Sequence, residues 1–487
     1  MIPKILSDVL PEAHLIRVAV VGHTNTGKTS LLRTLTRDRG FGEVADAPGT
    51  TRQVSRSLCW LEGRPVLAWY DTPGLEDSMA LRDWIEAYEP VAGQDRLEPY
   101  DRLARFVEDT QGKLRFEQEF RVIKQVLNSD AALYVIDVRE PVLAKYRDEL
   151  QLLAASGKPV VPVLNFLVSP GAEPQAWHQA LSRLGIHVTL TFDTVSPPLE
   201  GEALVFNALG QVLRDAQPVL SALAQEAIAS RIKRRDEALN RVAQLVVNVA
   251  SAQWYGEPTE QATDGLTQVL QKSVRQAERD CTDQILRDYA FEADEYLPHA
   301  LPWRSGRWDS DLFSVDAMKE MGLHLSKGAM TGAIAGAAVD LMTAGLTLGT
   351  GTVVGAATGT LWQSARRWGS DVVARVRGQQ EMRVSDEILV LLATRQLQLI
   401  VALERRGHAS KQPLQIDHLQ TIAQLVQQNL PKHLGAARRH PQWSDLTAEP
   451  VMESSGRQVS QTAIDTVLKS VLFEFDALDE QEVAENS

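Results

Sequence analysis

Gly22-His23-Thr24-Asn25-Thr26-Gly27-Lys28-Thr29 is the stretch from which the fold of this chain can be read. It matches the pattern G-x-x-x-x-G-K-[ST] at every specified position. The apolar run His14 to Val21 before it reads as a buried strand, and Ser30 to Thr36 after it reads as the first turns of a helix. A loop in that setting wraps a phosphate in backbone N–H groups at the positive end of the helix dipole. Gly22, Thr26, Gly27 and Ser30 would form the cradle, Lys28 would reach the β- and γ-phosphates, and the Thr29 hydroxyl would hold Mg²⁺. The loop therefore predicts a site for a nucleoside triphosphate.

Outward from the loop, strand candidates recur at Leu15–Val21, Ser55–Leu61, Val66–Tyr70, Ala131–Val138, Val160–Phe166 and Val188–Phe192. The longer ones are nearly continuous apolar runs, which suits strands covered on both faces by helices. The expected fold class is α/β, a doubly wound, mostly parallel sheet over residues 1–215, closed by a helix near Leu204–Gln217. From about residue 218 the strand signals stop, and apolar residues recur at helical spacing, as in Ile228, Ile232, Leu239, Val242, Val246 and Val249. The same spacing marks Leu266–Leu286 and Ile388–Leu403, so residues 216–475 are expected to form a mainly helical domain. Residues 476–487 are expected to be an acidic, fraying tail.

The 487 residues are enough for two or three domains. A net charge of −13 argues against bulk nucleic-acid binding, which needs a basic footprint. Cys59 and Cys281 stand far apart with no ligand-spaced partners, so neither a disulfide framework nor a zinc site is expected. Asp8 and Glu12 interrupt the N-terminal stretch, which has no apolar core of its own. No signal peptide is expected there, and a reducing, cytoplasmic location follows.

Two more segments fall in the order that a switch around a triphosphate requires. Ala47-Pro-Gly-Thr-Thr-Arg52 precedes the second strand, and its Thr51 would present oxygen to Mg²⁺ and the γ-phosphate. Asp71-Thr-Pro-Gly74 ends the third strand, where Asp71 would hold a metal-bound water and the Gly74 N–H would sense the γ-phosphate. GHTNTGKT, PGTTR and DTPG together resemble the Era/EngA/TrmE class of bacterial translation-factor-like GTPases over roughly residues 12–215. The resemblance implies binding of GTP and GDP and hydrolysis with Mg²⁺. It also implies that Asn25 stands where potassium-activated members ligate K⁺, a neutral space-filling Asn being the alternative. The cation would take the place of an arginine finger. Leu75 occupies the place of the water-orienting Gln of Ras-like proteins and cannot position water. Asp77 lies at the offset of the catalytic acid proposed for TrmE-like proteins, beside Glu76, and a solvated switch carboxylate is the alternative. The expected hydrolytic residues are thus Lys28, Thr51 and Asp77.

The chain departs from this class at the base. The pattern N/T-K-x-D is represented by Asn165-Phe-Leu-Val168, with Asn165 kept and the lysine and aspartate missing. Phe166 could stack on the base, and Asp193 could supply a carboxylate or simply begin a loop. Guanine over adenine rests on the resemblance alone. Between Gly74 and the fourth strand lie 56 residues, read as an elongated helical insertion over about 79–125 next to the second switch.

Residues 328–361 carry one charge, Asp340, and two glycine triads spaced by four: Gly328, Gly332, Gly336 and Gly351, Gly355, Gly359. One helix of that length would span about 51 Å, against roughly 30 Å for a bilayer core. Two helices turning near Thr343–Thr350 are expected instead, a Gly-zipper hairpin. Lys327, Arg366 and Arg367 flank it. A packed hairpin inside the helical domain and a contact with a membrane or membrane protein both remain open.

The expected activity is GTP hydrolysis by a K⁺-stimulated molecular switch acting on a helical effector or anchor domain. One alternative is a weakly hydrolysing, membrane-associated module, peripheral at the inner face, that forms nucleotide-dependent dimers or higher oligomers through the hairpin. The other is a ribosome or RNA assembly GTPase, permitted by the basic spots Arg231–Arg235, Arg405–Lys411 and Lys432–His440 and opposed by the acidic balance.

Overall fold

Apolar residues alternate strictly between two faces along the central strands of the first part of the chain. The computed structural model describes residues 15–37, 41, 54–89, 97–291, 303–304, 307–308, 311–314, 339–341, 380–406, 419–447 and 454–485. In β1 (Ile16–Val21), Ile16, Val18 and Val20 enter one core, and Ala19 and Val21 enter the other. In β4 (Ala131–Asp137), Ala131, Leu133 and Val135 divide from Ala132, Tyr134 and Ile136 in the same way. A strand buried on both faces must be apolar throughout, which is why these runs look continuous in the sequence.

The sheet order is β2-β3-β1-β4-β5-β6, with β2 (Ser55–Leu61), β3 (Arg64–Asp71), β5 (Val160–Asn165) and β6 (Leu190–Thr191) completing it. All neighbours are parallel except the β2–β3 hairpin. The last strand is only two residues long, so most of the expected run Val188–Phe192 is loop. Around the sheet lie α1 (Lys28–Thr36), α6 (Ala144–Ala155), α7 (Pro174–Arg183) and α8 (Gly201–Val212). The half-buried Cys59 accepts a hydrogen bond from Trp69 Nε1 at 3.1 Å, and burial pushes its thiol up to about 11.

The segment after Gly74 folds into α2 (Ser78–Glu86), α3 (Pro99–Glu108), α4 (Thr110–Arg115) and α5 (Glu117–Leu127). Rather than being elongated, it closes on an apolar cluster of its own: Leu81, Ile85, Leu103, Phe106, Phe116, Phe120 and Ile123, with Leu152 from α6. Phe106 meets Phe116 and Phe120 edge to face at 6.5 and 6.0 Å, the arrangement that ring quadrupoles favour.

The described residues fall into two compact units, the first running to Ile232 and the second comprising 233–404 and the described residues from 419. The chain passes from one to the other within α9 (Gln217–Ser251). The second unit contains α10 (Glu260–Asp288), α11 (Asp386–Glu404), α12 (Leu419–Asn429) and α13 (Ser455–Glu485). Every residue of α11 from Ile388 to Leu403 is buried, so this helix runs through the centre of the unit and its apolar residues join the core.

Three expectations change here. The second unit is not free of strands: β7 (Trp254–Gly256), β10 (Val339–Leu341) and β11 (Gln380–Val384) form an antiparallel sheet in the order β10-β11-β7. Strands so short carry no readable period, and residues 256 and 380 pair across more than a hundred positions. A two-residue hairpin, β8 (Trp303–Arg304) with β9 (Arg307–Trp308), accompanies it. Of the Gly-rich run 328–361, only Val339–Leu341 is described, and these residues are extended because their backbone groups pair with β11. The rest of that run lies outside the described residues. The acidic end does not fray at 476: α13 continues to Glu485, since Phe475 is buried, Asp476 binds Arg235 at 2.6 Å, and the residues beyond are good helix formers. No helix among the described residues is long and apolar enough to cross a membrane.

Candidate functional site

The loop between β1 and α1 is shaped by backbone that only glycine supplies cheaply. Gly22 has φ 147°, and a Cβ there would lie 2.5 Å from the Val135 carbonyl oxygen. Gly27 has φ 94°, and a Cβ would lie 2.4 Å from Asn165 Nδ2. Thr26 is buried and donates to the His23 carbonyl at 3.0 Å, tightening the turn, and Ser30 lies in the first turn of α1. Asn25 stands exposed at the crest with φ 64°.

Lys28 is buried, and its Nζ donates to the Gly22 and His23 carbonyls at 3.1 and 2.7 Å. Burial pulls its ammonium down to about 8, against the opposing pull of Asp71, Glu149 and Glu76. Thr29 Oγ1 donates to Asp71 Oδ2 at 2.6 Å, and Asp71 Oδ1 is buried without a hydrogen-bond partner. Burial raises the pKa of Asp71, partly offset by Thr29 and Lys28.

The segment after Asp71 lies directly on the phosphate loop. A Cβ on Gly74 would come within 2.3 Å of Thr24 Oγ1, so this approach requires glycine. The Leu75 amide donates to the Gly22 carbonyl at 3.1 Å, Thr72 Oγ1 to the Val20 carbonyl at 2.8 Å, and Thr24 Oγ1 to Glu76 Oε1 at 3.1 Å. Leu75 is fully buried in the apolar core. Asp77 caps α2, its Oδ1 accepting from the Ala80 amide at 3.3 Å. The structure thus brings together Gly22 to Ser30, Asp71, Gly74 and Asn165. Thr51 and the rest of the PGTTR segment lie outside the described residues, as does His14.

Several contributors carry no motif. Buried Glu119 of α5 accepts from the Glu76 and Asp77 amides at 3.1 and 3.0 Å and so ties the segment after Gly74 to α5. His23 Nδ1 lies 2.9 Å from Glu149 Oε1, whose Oε2 accepts from the Tyr134 hydroxyl at 2.8 Å. His23 Nε2 is 3.1 Å from Lys145 Nζ, so the loop is braced against α6. These partners lie far apart in sequence, and no local pattern announces them. Asn165 is also a brace: it donates from Nδ2 to the Thr26 carbonyl at 2.8 Å and accepts at Oδ1 from the Phe166 and Thr194 amides. Asp193 organises its loop by accepting from the Val168, Val195 and Ser196 amides, the structural half of the two roles open to it from sequence.

Comparison with known families matches residues 17–166 to the model described as 50S ribosome-binding GTPase. Residues 178–467 match the model described as domain of unknown function, DUF3482. Among individual proteins, GTPase Der of Desulforudis audaxviator is 32% identical over 112 residues, which is 22% of this chain and 24% of that protein. The tRNA modification GTPase MnmE of Histophilus somni is 33% identical over 102 residues, 21% of this chain and 22% of that protein. The matched stretches therefore span about a quarter of those relatives or less. The crystal structure of the G domain of the T. maritima FeoB iron transporter aligns at 18% identity and TM-score 0.24, covering 42% of this chain and all (100%) of that one.

Proposed function

The chain belongs to the DUF3482 family and carries a GTPase domain ahead of that region, and from this premise we propose that it is a Mg²⁺-dependent GTP switch whose second unit acts as the effector. The observation that carries the metal assignment is the pair Thr29 and Asp71, with one buried carboxylate oxygen left without a hydrogen bond. A hydroxyl and a carboxylate are the hard oxygen donors that Mg²⁺ selects, so the residues fit the ion. Thr29 would hold it directly, Asp71 through a water, and Thr51 from the first switch. Held there, the ion would supply positive charge against the negative charge that develops on the transferring phosphoryl group.

The residues of the chain do the rest. Amides of the loop and the start of α1 bind the phosphates, Lys28 turns from two carbonyls to the β- and γ-phosphates, and the Gly74 amide registers the γ-phosphate. Because Leu75 is buried, water must be oriented by another group. Asp77 is the proposed acid, at the cost of its 3.3 Å cap bond to Ala80. Glu119 links this segment to α5, so loss of the γ-phosphate contact would be felt by the helices following Gly74. Asp71→Asn is expected to raise the Mg²⁺ concentration for half-maximal GTP hydrolysis by about tenfold or more. An unchanged Mg²⁺ dependence would remove Asp71 from the metal site.

Asn25 is proposed as the K⁺ ligand. The residue is exposed at the loop crest, and its carboxamide oxygen would ligate the cation beside the phosphates. GTP turnover should rise about tenfold or more in KCl over NaCl, and Asn25→Ala should erase the difference. Equal wild-type rates in the two salts would sink the assignment.

A further inference from the structure

The carboxylates and the carboxamide in the loops that would receive a purine ring are already engaged by the protein itself. Asn165 is fully buried and makes three hydrogen bonds, to Thr26 O at 2.8 Å and from the Phe166 and Thr194 amides at 2.9 and 2.8 Å. Asp193 is buried and accepts from the Val168 amide at 3.1 Å and from the Val195 and Ser196 amides at 2.8 and 3.3 Å. Asp137 is occupied by Arg139, whose backbone N, Nε and Nη2 donate at 3.0, 2.9 and 2.6 Å. Val168 stands where the pattern of the resembling class places an aspartate, and it is 65% exposed with no side-chain acceptor. In the loop after β6 the Val195 N–H is turned to Asp193. What remains is a stacking surface. Phe166 is held at φ 63°, with the Arg139 guanidinium 4.0 Å from its ring centroid.

We propose that the site takes the base by stacking on Phe166 and Arg139 rather than by a carboxylate reading the ring edge, so that it turns over purine nucleoside triphosphates broadly. Inosine triphosphate, which lacks the 2-amino group of GTP, is then as good a substrate as GTP, and ATP is only weakly rejected. The proposal rests on the nucleotide site described above. An aromatic or guanidinium face accepts any base, whereas a site built around a hydrogen bond strongly rejects an analogue that lacks it. Three of the four lone-pair directions of Asp193 are filled, and releasing them would separate the loops carrying Val168 and Val195.

The test measures kcat/KM of the full chain with Mg²⁺ for GTP, ITP and ATP. ITP is expected within about threefold of GTP and ATP within about tenfold, since no charged hydrogen bond distinguishes them. Val168→Asp, on an exposed loop position, should raise the GTP-to-ITP ratio to about tenfold or more by installing the missing acceptor. Phe166→Ala should lower kcat/KM for all three by a similar factor. A wild-type preference for GTP over ITP above about tenfold overturns the proposal, as does a Val168→Asp variant with an unchanged ratio. GTP hydrolysis with ITP rejected removes only this inference. Failure to bind or hydrolyse any of the three removes the nucleotide site with it.

Discussion

Lys28→Ala is expected to lower kcat/KM for GTP hydrolysis by about a thousandfold, as loss of a preorganised positive charge at a transferring phosphoryl group does. The lysine is poised for that role. It is buried against the start of α1, and it stays in place by donating to the Gly22 and His23 carbonyls, contacts it can exchange for phosphate oxygens. Its pKa in the fold, about 8, lies below the ordinary 10.5, so in the free protein the charged form carries a desolvation cost. The sign of the pH effect follows. Phosphate needs the ammonium, and kcat/KM reports the free enzyme. It should therefore fall about tenfold per unit above pH 8, while kcat holds to higher pH because bound phosphates retain the proton. A depressed lysine pKa also withholds stability as pH falls through 10.5 towards 8. The free Lys28→Ala protein should therefore not unfold at lower denaturant than wild type, which separates lost chemistry from lost folding. A variant retaining wild-type kcat/KM, or a profile flat to pH 10, would contradict this role.

Glu278→Ala is expected to destabilise the second unit by about 3–5 kcal/mol. Glu278 on α10 and Arg395 on α11 meet at 3.2 Å inside the core, with the arginine side chain 1% exposed. Beside them Thr282 and Gln396 exchange hydrogen bonds at 3.1 and 3.2 Å. Removing the carboxylate takes away the counter-charge that lies 3.2 Å from a buried guanidinium. Replacing both, as Glu278→Leu with Arg395→Met, should recover most of the loss, because the desolvation of both ions disappears with them. Burial raises the pKa of Glu278, with Arg395 pulling the other way. A carboxyl raised in the fold contributes stability at low pH that is lost as pH rises from its ordinary 4.5 through the raised value. Glu278→Gln should flatten that slope. Denaturant unfolding followed on the transition of the second unit reads all three variants. A single variant within 1 kcal/mol of wild type would show that the pair is not the brace described.

How far the sequence could be read differs by residue. Gly22, Gly27, Lys28 and Thr29 were legible because a phosphate loop packs its requirements into neighbouring positions, φ above zero, an ammonium and a hydroxyl, and Asp71 and Gly74 were legible as a second short motif at the end of β3. The same holds for β4, and for β1 apart from the exposed Arg17, because their buried faces demand apolar residues. Asn165 was legible as part of the site but not in its role, since its bonds reach Thr26 and Thr194 from 139 and 29 positions away. Glu119 and Glu149 were silent, because a carboxylate on a helix looks the same whether it faces water or a backbone amide. The small sheet of the second unit escaped for a related reason: two of its strands have three residues each, and their partners lie across long intervals.

By itself the sequence determined that a loop of phosphate-binding pattern joins β1 to α1, that a mostly parallel sheet carries it, and that the second half is mainly helical. These follow from local periodicity and from glycines whose conformation no other residue adopts cheaply. Only the tertiary structure decided that the Glu76 and Asp77 amides are held by Glu119, that α11 is buried on every side around an ion pair, and that Asp193 serves its own loop. Such outcomes depend on which distant groups are brought within hydrogen-bond reach. A side chain shows its donors and acceptors in the sequence, but whether a purine edge or a backbone amide fills them is settled by packing.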